Sequence, residues 1–264
     1  MVLFNGKLSF EEIKNTLVDG IIMQDQEIAG IYMDTAGKNY HLPVVSASYG
    51  DRFSTSHGLP VVEIDMFGVV ETALDYLWDM GHRRILMALP YTHSQARINA
   101  FRSWMKTKGL NRPDDHIISI SRQNPKLQND ERLLRFREET EADRLLVSED
   151  FYGKGVLAAQ LFAEQNRNET AVLAFNDELA LGMIRGFSEM GVRVPEDVSV
   201  MGIDGITARK YVSPLLTTIN LFPEKQGEKC ARLLLDILEG KKVKYVTHAR
   251  FVLERGESVK RYQK

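Results

Sequence analysis

The chain has 264 residues, with 34 lysines and arginines against 36 acidic residues, a formal net charge of −2 and one cysteine. That length can bury a sizeable core split between two lobes, while the charge balance gives no basic footprint for nucleic acid. Lone Cys230 excludes an internal disulfide framework. It shares an apolar helical face with Leu233 and Leu234 and reads as a buried, inert thiol. The opening MVLFNGKLSFEE has no basic region followed by a long apolar stretch, and the chain has no apolar run long enough to span a bilayer. A soluble cytoplasmic protein is the expectation.

Strand-length apolar runs alternate with segments of helical period along the chain, which argues for parallel βαβ units. The expected strands are Gly20–Met23, Val44–Ala47, Val61–Ile64, Ile85–Leu89, Ile117–Ile120, Arg144–Val147, Ala171–Phe175, Val198–Ile203 and Leu216–Ile219. The expected helices are Gly68–Met80, Ser94–Lys108, Asp130–Glu138, Lys154–Gln165, Glu178–Met190 and Lys225–Leu238. Ala29–Asn39 has no clean period, and the polar stretch Arg122–Asn129 reads as a surface loop.

The stretch Ala171–Thr218 is the most informative. The run Ala171–Phe175 stops at Asn176-Asp177, residues that favour a helix start. Leu179, Met183, Ile184 and Phe187 then build one apolar helix face, Gly191 ends the helix, and Pro195 bars its continuation before Val198–Ile203. Two strand tips, at Asn176 and Asp204, thus carry polar groups to one edge. The carboxyl ends of strands in open parallel sheets are where ligands bind.

Several ordered segments now point to a family: F-N-D-E-L-A-L-G from Phe175, G-V-R-V-P-E-D-V-S-V-M-G-I-D from Gly191, and S-P-L-L-T-T-I from Ser213. V-D-G-I-I at Val18–Ile22, L-P-V-V at Leu42–Val45, G-H-R-R-I at Gly81–Ile85 and A-R-x-x-A-F at Ala96–Phe101 add to them. The series resembles the effector-binding core of the lactose-repressor/galactose-repressor (LacI/GalR) transcription factors, densely from Asp65 to Gly240 and thinly before Arg52. The resemblance implies an α/β fold of the periplasmic-binding-protein-like type I, with two doubly wound Rossmann-like lobes and the effector clamped in the cleft between them. The N-terminal lobe would hold residues 1–64 plus 222–250, the C-terminal lobe residues 65–221 plus 251–264. The chain would cross near Ile64–Met66, Asn220–Pro223 and Arg250–Leu253. Family members begin with a helix-turn-helix headpiece and a first βα unit. Nothing in Met1–Leu17 resembles either, so an incomplete N-terminal lobe that does not bind an operator by itself is expected, from a trimmed chain, a shortened gene product or a divergent member.

By the same resemblance Arg97 would hydrogen-bond effector hydroxyls or carboxylates, as a planar guanidinium suits paired acceptors; the alternative is a solvated surface arginine. Asn176 matches an effector-contacting asparagine, and its amide can both donate and accept; it and Asp177 are also good helix caps. Asp204 matches a carboxylate that accepts from sugar hydroxyls, against a turn-forming aspartate, and Gly205 replaces the second acid common in the family. Phe151 or Tyr152 would supply an aromatic that stacks on a sugar ring, with the register between them open and core packing the alternative. Ser48 stands where many relatives carry aspartate, and Phe222 reads as a hinge or cleft-wall aromatic or as core. His82, in a helix-to-strand turn, reads as structural.

The chain has no G-x-G-x-x-G after its first strand, no G-x-x-x-x-G-K-[ST], no G-x-S-x-G and no H-E-x-x-H, so no cofactor, metal or catalytic constellation is expected. The leading expectation is a non-enzymatic, sugar-sensing and dimerising domain of a transcription regulator, meeting operator DNA only through a headpiece that this chain lacks. A solute-binding receptor of a sugar transporter is the alternative, and a doubly wound enzyme a distant third.

Overall fold

A computed structural model describes residues 18–24, 29, 42–50, 58–91, 95–121, 124–135 and 150–263. Those residues fall into two compact units. One holds the residues up to Met66 together with Phe222–Arg250; the other holds those from Phe67 to Leu221, apart from residues 139–147, together with those from Phe251 onward.

In the first unit, β1 (Ile21–Met23), β2 (Val44–Gly50), β3 (Val61–Asp65) and β9 (Val246–Ala249) form a four-stranded sheet in the order β1-β2-β3-β9. Every pairing in it is parallel. The central strand β3 is buried through Ile64, as a parallel strand covered on both faces should be. The helix Pro223–Leu238 of this unit starts on a proline, whose absent N–H costs nothing there. Its buried positions are Gln226 and Cys230. The Gln226 amide donates to the carbonyls of Ser48 at 3.0 Å and Val62 at 2.9 Å, bridging β2 and β3.

The second unit is a six-stranded sheet in the order β10-β8-β7-β6-β4-β5. Its strands are β4 (Ile85–Leu89), β5 (Ile117–Ser119), β6 (Ala171–Ala174), β7 (Ser199–Asp204), β8 (Thr217–Asn220) and β10 (Val252–Glu254). All pairings are parallel except β10 against β8. From β4 the chain winds outward to β5, then returns to the far side of β4 and proceeds through β6, β7 and β8. The direction reverses between β4 and β6, which makes that gap a topological switch point. The unit's helices are α1 (Met66–Asp79, beginning in the first unit), α2 (Gln95–Thr107), α3 (Phe151–Glu164) and α4 (Asp177–Glu189), and α5 denotes Pro223–Leu238. On α4, Leu179, Met183, Ile184 and Phe187 are all buried, the face expected from their spacing.

The structure departs from the expected pattern at one helix and at two strands. Glu131–Arg135 is a 3-10 turn, where the spacing predicts an α-helix over Asp130–Glu138. Asp130 accepts from the Arg132 N–H at 3.0 Å and grips its guanidinium at 3.0 and 2.7 Å, a local bonding pattern that competes with the α-helical one. Residues 124–129 of the expected surface loop form a turn, exposed or half-buried apart from Leu127. Strands β9 and β10 were not expected from the pattern, because both are sheet edges whose residues are largely exposed or half-buried. The expected strand Arg144–Val147 and nearly all of Ala29–Asn39 lie outside the described residues. Among the described residues, no helix is long and apolar enough to cross a membrane.

Candidate functional site

Strand register puts three polar residues on one level at the carboxyl edge of the six-stranded sheet. Asp204 on β7 pairs with Asn220 on β8. Leu173 pairs with Met201, so continuing the register sets Asn176 beside Asp204. One strand further, the Phe175 N–H donates to the Ala88 carbonyl at 2.9 Å and aligns the end of β6 with that of β4. This is the switch-point edge, and β6 builds its share of it by running apolar through Ala174 and Phe175 before Asn176 and Asp177 turn polar.

Aromatic rings gather at the β4/β6 end of this edge. The Phe175 ring lies 5.2 Å from Tyr91 at an interplanar angle of 70°, and 5.8 Å from Phe151 at 31°. The Arg97 guanidinium, from the first turn of α2, sits 3.9 Å from the Phe175 ring centroid. Stacking a guanidinium on a ring covers its apolar face and fixes its plane. Beneath the cluster, Lys154 is buried and donates from Nζ to the Pro90 carbonyl at 2.8 Å, tying the start of α3 to the end of β4.

Asp177 has a different task. It is fully buried, and its two carboxylate oxygens accept from the Gly205 N–H at 2.8 Å, the Ile206 N–H at 2.9 Å and the Thr218 hydroxyl at 2.5 Å. It reaches β7 over Gly202, where a Cβ would come within 2.2 Å of its Oδ1. Burial raises its pKa, and the Thr218, Ile206 and Gly205 donors pull it back. Asp177 therefore faces the protein and shapes the loop after Asp204. That loop needs glycine: Gly205 has φ 79°, and a Cβ on it would meet Asn220 Cγ at 2.4 Å. Asp204 itself has φ 127°, a region that side-chain-bearing residues rarely occupy and that tends to mark sites of function.

Burial also lifts the Asp204 carboxyl to about 7; the positive charge of Arg97 draws it down, and Asp177 and Glu178 push it up. A carboxyl poised near neutrality and an arginine within electrostatic reach can receive a polyhydroxylated or acidic guest at this edge. Asn176 does cap α4, its Oδ1 accepting from the Leu179 N–H at 2.9 Å. An amide has more donors and acceptors than that single bond uses.

Of the residues singled out from sequence, Arg97, Asn176, Asp204 and Phe151 share this edge. Between the two aromatic alternatives, Phe151 is the one beside Phe175, whereas Tyr152 is 47% exposed and sits within electrostatic range of Arg185. Ser48 and Phe222 belong to the first unit. Ser48 is buried on β2, and Phe222 has φ 49° at the start of α5 with the Arg250 guanidinium 5.2 Å from its ring. Phe175, Tyr91, Lys154 and Asn220 were missed. Phe175 reads in sequence only as the end of an apolar run; Tyr91 follows β4 directly, and its place at a strand's carboxyl end was the available signal. His82 is buried, its Nδ1 bonded to the Thr170 hydroxyl at 2.8 Å and its Nε2 to the Lys260 carbonyl at 3.1 Å. Among the described residues, no group of three or more His, Cys, Asp or Glu could hold a metal ion.

A family model for a periplasmic binding protein-like domain matches residues 74–259. The chain belongs to that family. Within it, this periplasmic-binding-protein-like domain is an effector-binding core of the LacI/GalR type. It is 27% identical over 231 residues to the HTH-type transcriptional repressor PurR of Vibrio cholerae, covering 85% of this chain and 58% of the relative. To the PurR repressor of Pasteurella multocida it is 28% identical over 252 residues, covering 91% and 66%. The domain thus spans less than two thirds of the length of these curated relatives. Among solved structures, a LacI-family regulator from Enterococcus faecium with bound ribose superposes with a TM-score of 0.70 at 25% identity, over 93% of this chain and 81% of that one. The Escherichia coli repressor ascG shares the fold with a TM-score of 0.73 at 21% identity, over 98% and 87%. These relatives are described as regulators, not as enzymes or transporter receptors.

Proposed function

We propose that this domain senses a small polyhydroxylated effector, a sugar or a sugar-like metabolite, on behalf of a transcription regulator. In this reading it forms a homodimer, and operator DNA is met by a segment outside the present chain. Effector binding would favour one of two arrangements of the domain, and the change in their populations would be read as altered DNA affinity. The observation that carries the reading is the convergence of Asn176, Asp204 and the ring-stacked Arg97 on one sheet edge at a switch point. An arginine fork and a carboxylate together match both the acceptor and the donor sides of vicinal hydroxyls, and Phe151 offers a ring face for the apolar side of a pyranose. Relatives with this fold have been seen with ribose, sucrose and cellobiose, which makes those saccharides the first probes. The test is thermal unfolding of the domain with each of the three at millimolar concentration. At least one should stabilise the wild type, by about 2–3 kcal/mol at a hundredfold excess over its Kd, and Arg97→Ala and Asp204→Ala should each abolish the effect. A saccharide that stabilises both variants as it does the wild type removes this site from the account.

A further inference from the structure

Phe175 occupies an unusual place for a residue that directly follows a buried strand. It is 9% exposed, and its ring is contacted by Tyr91 and Phe151 and carries the Arg97 guanidinium at 3.9 Å. Arg97 comes from α2, which follows β4, whereas Phe175 directly follows β6. The two strands flanking the switch point are therefore joined above the sheet by a ring and a cation. A long arginine side chain left free samples many rotamers, and binding a ligand with it costs the entropy of choosing one. Held flat on a ring, the guanidinium is already ordered before any guest arrives.

We infer that Phe175 is a positioning residue for the effector site: its ring fixes the Arg97 guanidinium at the switch-point edge beside Asp204, so that the positive charge a guest would meet there is held in one place. The role is separate from filling the core, because a leucine or methionine could fill the space without offering a ring face. Tyr91 and Phe151 extend the device by bracing Phe175, and Lys154 braces Tyr91 through the Pro90 carbonyl. The ligand half of this inference rests on the effector-site reading above; the positioning half does not.

The experiment reads Asp204 without any ligand. In protein carrying 13C-labelled aspartate, the Asp204 carboxyl resonance, assigned with Asp204→Asn, is titrated in the wild type, Phe175→Leu, Phe175→Met, Phe175→Tyr and Arg97→Gln. The charges facing Asp204 are Arg97, Asp177 and Glu178, and the last two are unchanged in every Phe175 variant. If Phe175 holds Arg97 in place, Phe175→Leu and Phe175→Met raise the midpoint by about half a pH unit or more, because the nearby positive charge is no longer fixed. Phe175→Tyr keeps the wild-type midpoint. Arg97→Gln raises it as well, and Phe175→Leu adds nothing to Arg97→Gln. Labelling by phenylglyoxal, read by mass spectrometry at Arg97, should be several-fold faster in the leucine and methionine variants. Wild-type midpoints and labelling rates in folded Phe175→Leu and Phe175→Met would overturn the inference, as would full additivity with Arg97→Gln. Should Phe175→Leu fail to fold, Phe175→Met carries the same comparison. Ribose, sucrose and cellobiose are then tested on the same variants. If none binds the wild type, the effector reading fails for those sugars while the Asp204 titration still decides the positioning claim. If one binds, its Kd should rise at least about tenfold in Phe175→Met and return in Phe175→Tyr.

Discussion

Replacing Asp204 by asparagine should make the protein more stable at alkaline pH while removing a proposed effector contact. The native carboxyl is raised to about 7 from an ordinary value of 3.8, chiefly by burial. Between those values the folded chain still holds a proton that the unfolded chain has released, so stability is fully present below about pH 4 and is lost as pH rises to about 7. Three pH units correspond to about 4 kcal/mol. Asp204 is only partly covered, so solvent relaxation reduces this, and about 2 kcal/mol is the working figure. Asparagine carries no charge and escapes the loss. In denaturant or calorimetric unfolding from about pH 3.5 to about pH 8.5, Asp204→Asn should match the wild type at the acid end. At pH 8 it should exceed the wild type by about 2 kcal/mol, or about 4–8 °C in Tm. The difference should open from about pH 4 to about pH 7 and then level. Other titrating groups cancel, because they are common to both proteins. A variant no more stable than the wild type at pH 8, or a difference that is the same at every pH, refutes the reasoning.

Other consequences follow from the same hydrogen bonds and burial. Asp177→Ala leaves the Gly205 and Ile206 N–H groups and the Thr218 hydroxyl without their acceptor, so urea unfolding should show a loss of about 3 kcal/mol. Burial lowers the pKa of His82, so the native ring resists the proton that the unfolded chain takes up; stability should fall as pH drops below about 6.5, and His82→Gln should flatten that part of the curve. The Cys230 thiol is buried and pushed up to about 11, so Ellman's reagent at pH 8 should label it only on unfolding.

The sheets were legible where strands are central. Ile85–Leu89 on β4 and Ala171–Ala174 on β6 are buried at every position, and a continuous apolar run with punctuation on both sides announces such strands. Edge strands gave no such signal: β9 reads Val-Thr-His-Ala, with only Ala249 buried. The candidate site was legible as far as strand tips expose it, at Asn176 and Asp204. What escaped is whatever depends on a partner far along the chain. Lys154 meets Pro90 across 64 positions and Thr218 meets Asp177 across 41. Nothing local distinguishes a lysine that will be buried from one that will be solvated. In the same way, Asn176 and Asp177 look alike as helix-start residues, yet only the fold turns Asp177 inward to Gly205 and Ile206.

The account stands or falls on where a guest sits. A crystal structure of the domain grown with whichever of ribose, sucrose or cellobiose stabilises it tests this most directly. The account predicts saccharide hydroxyls within hydrogen-bonding distance of the Arg97 guanidinium and the Asp204 carboxylate, at the carboxyl ends of β4, β6 and β7. A saccharide bound elsewhere, with Arg97 still stacked on Phe175 and Asp204 untouched, would contradict it.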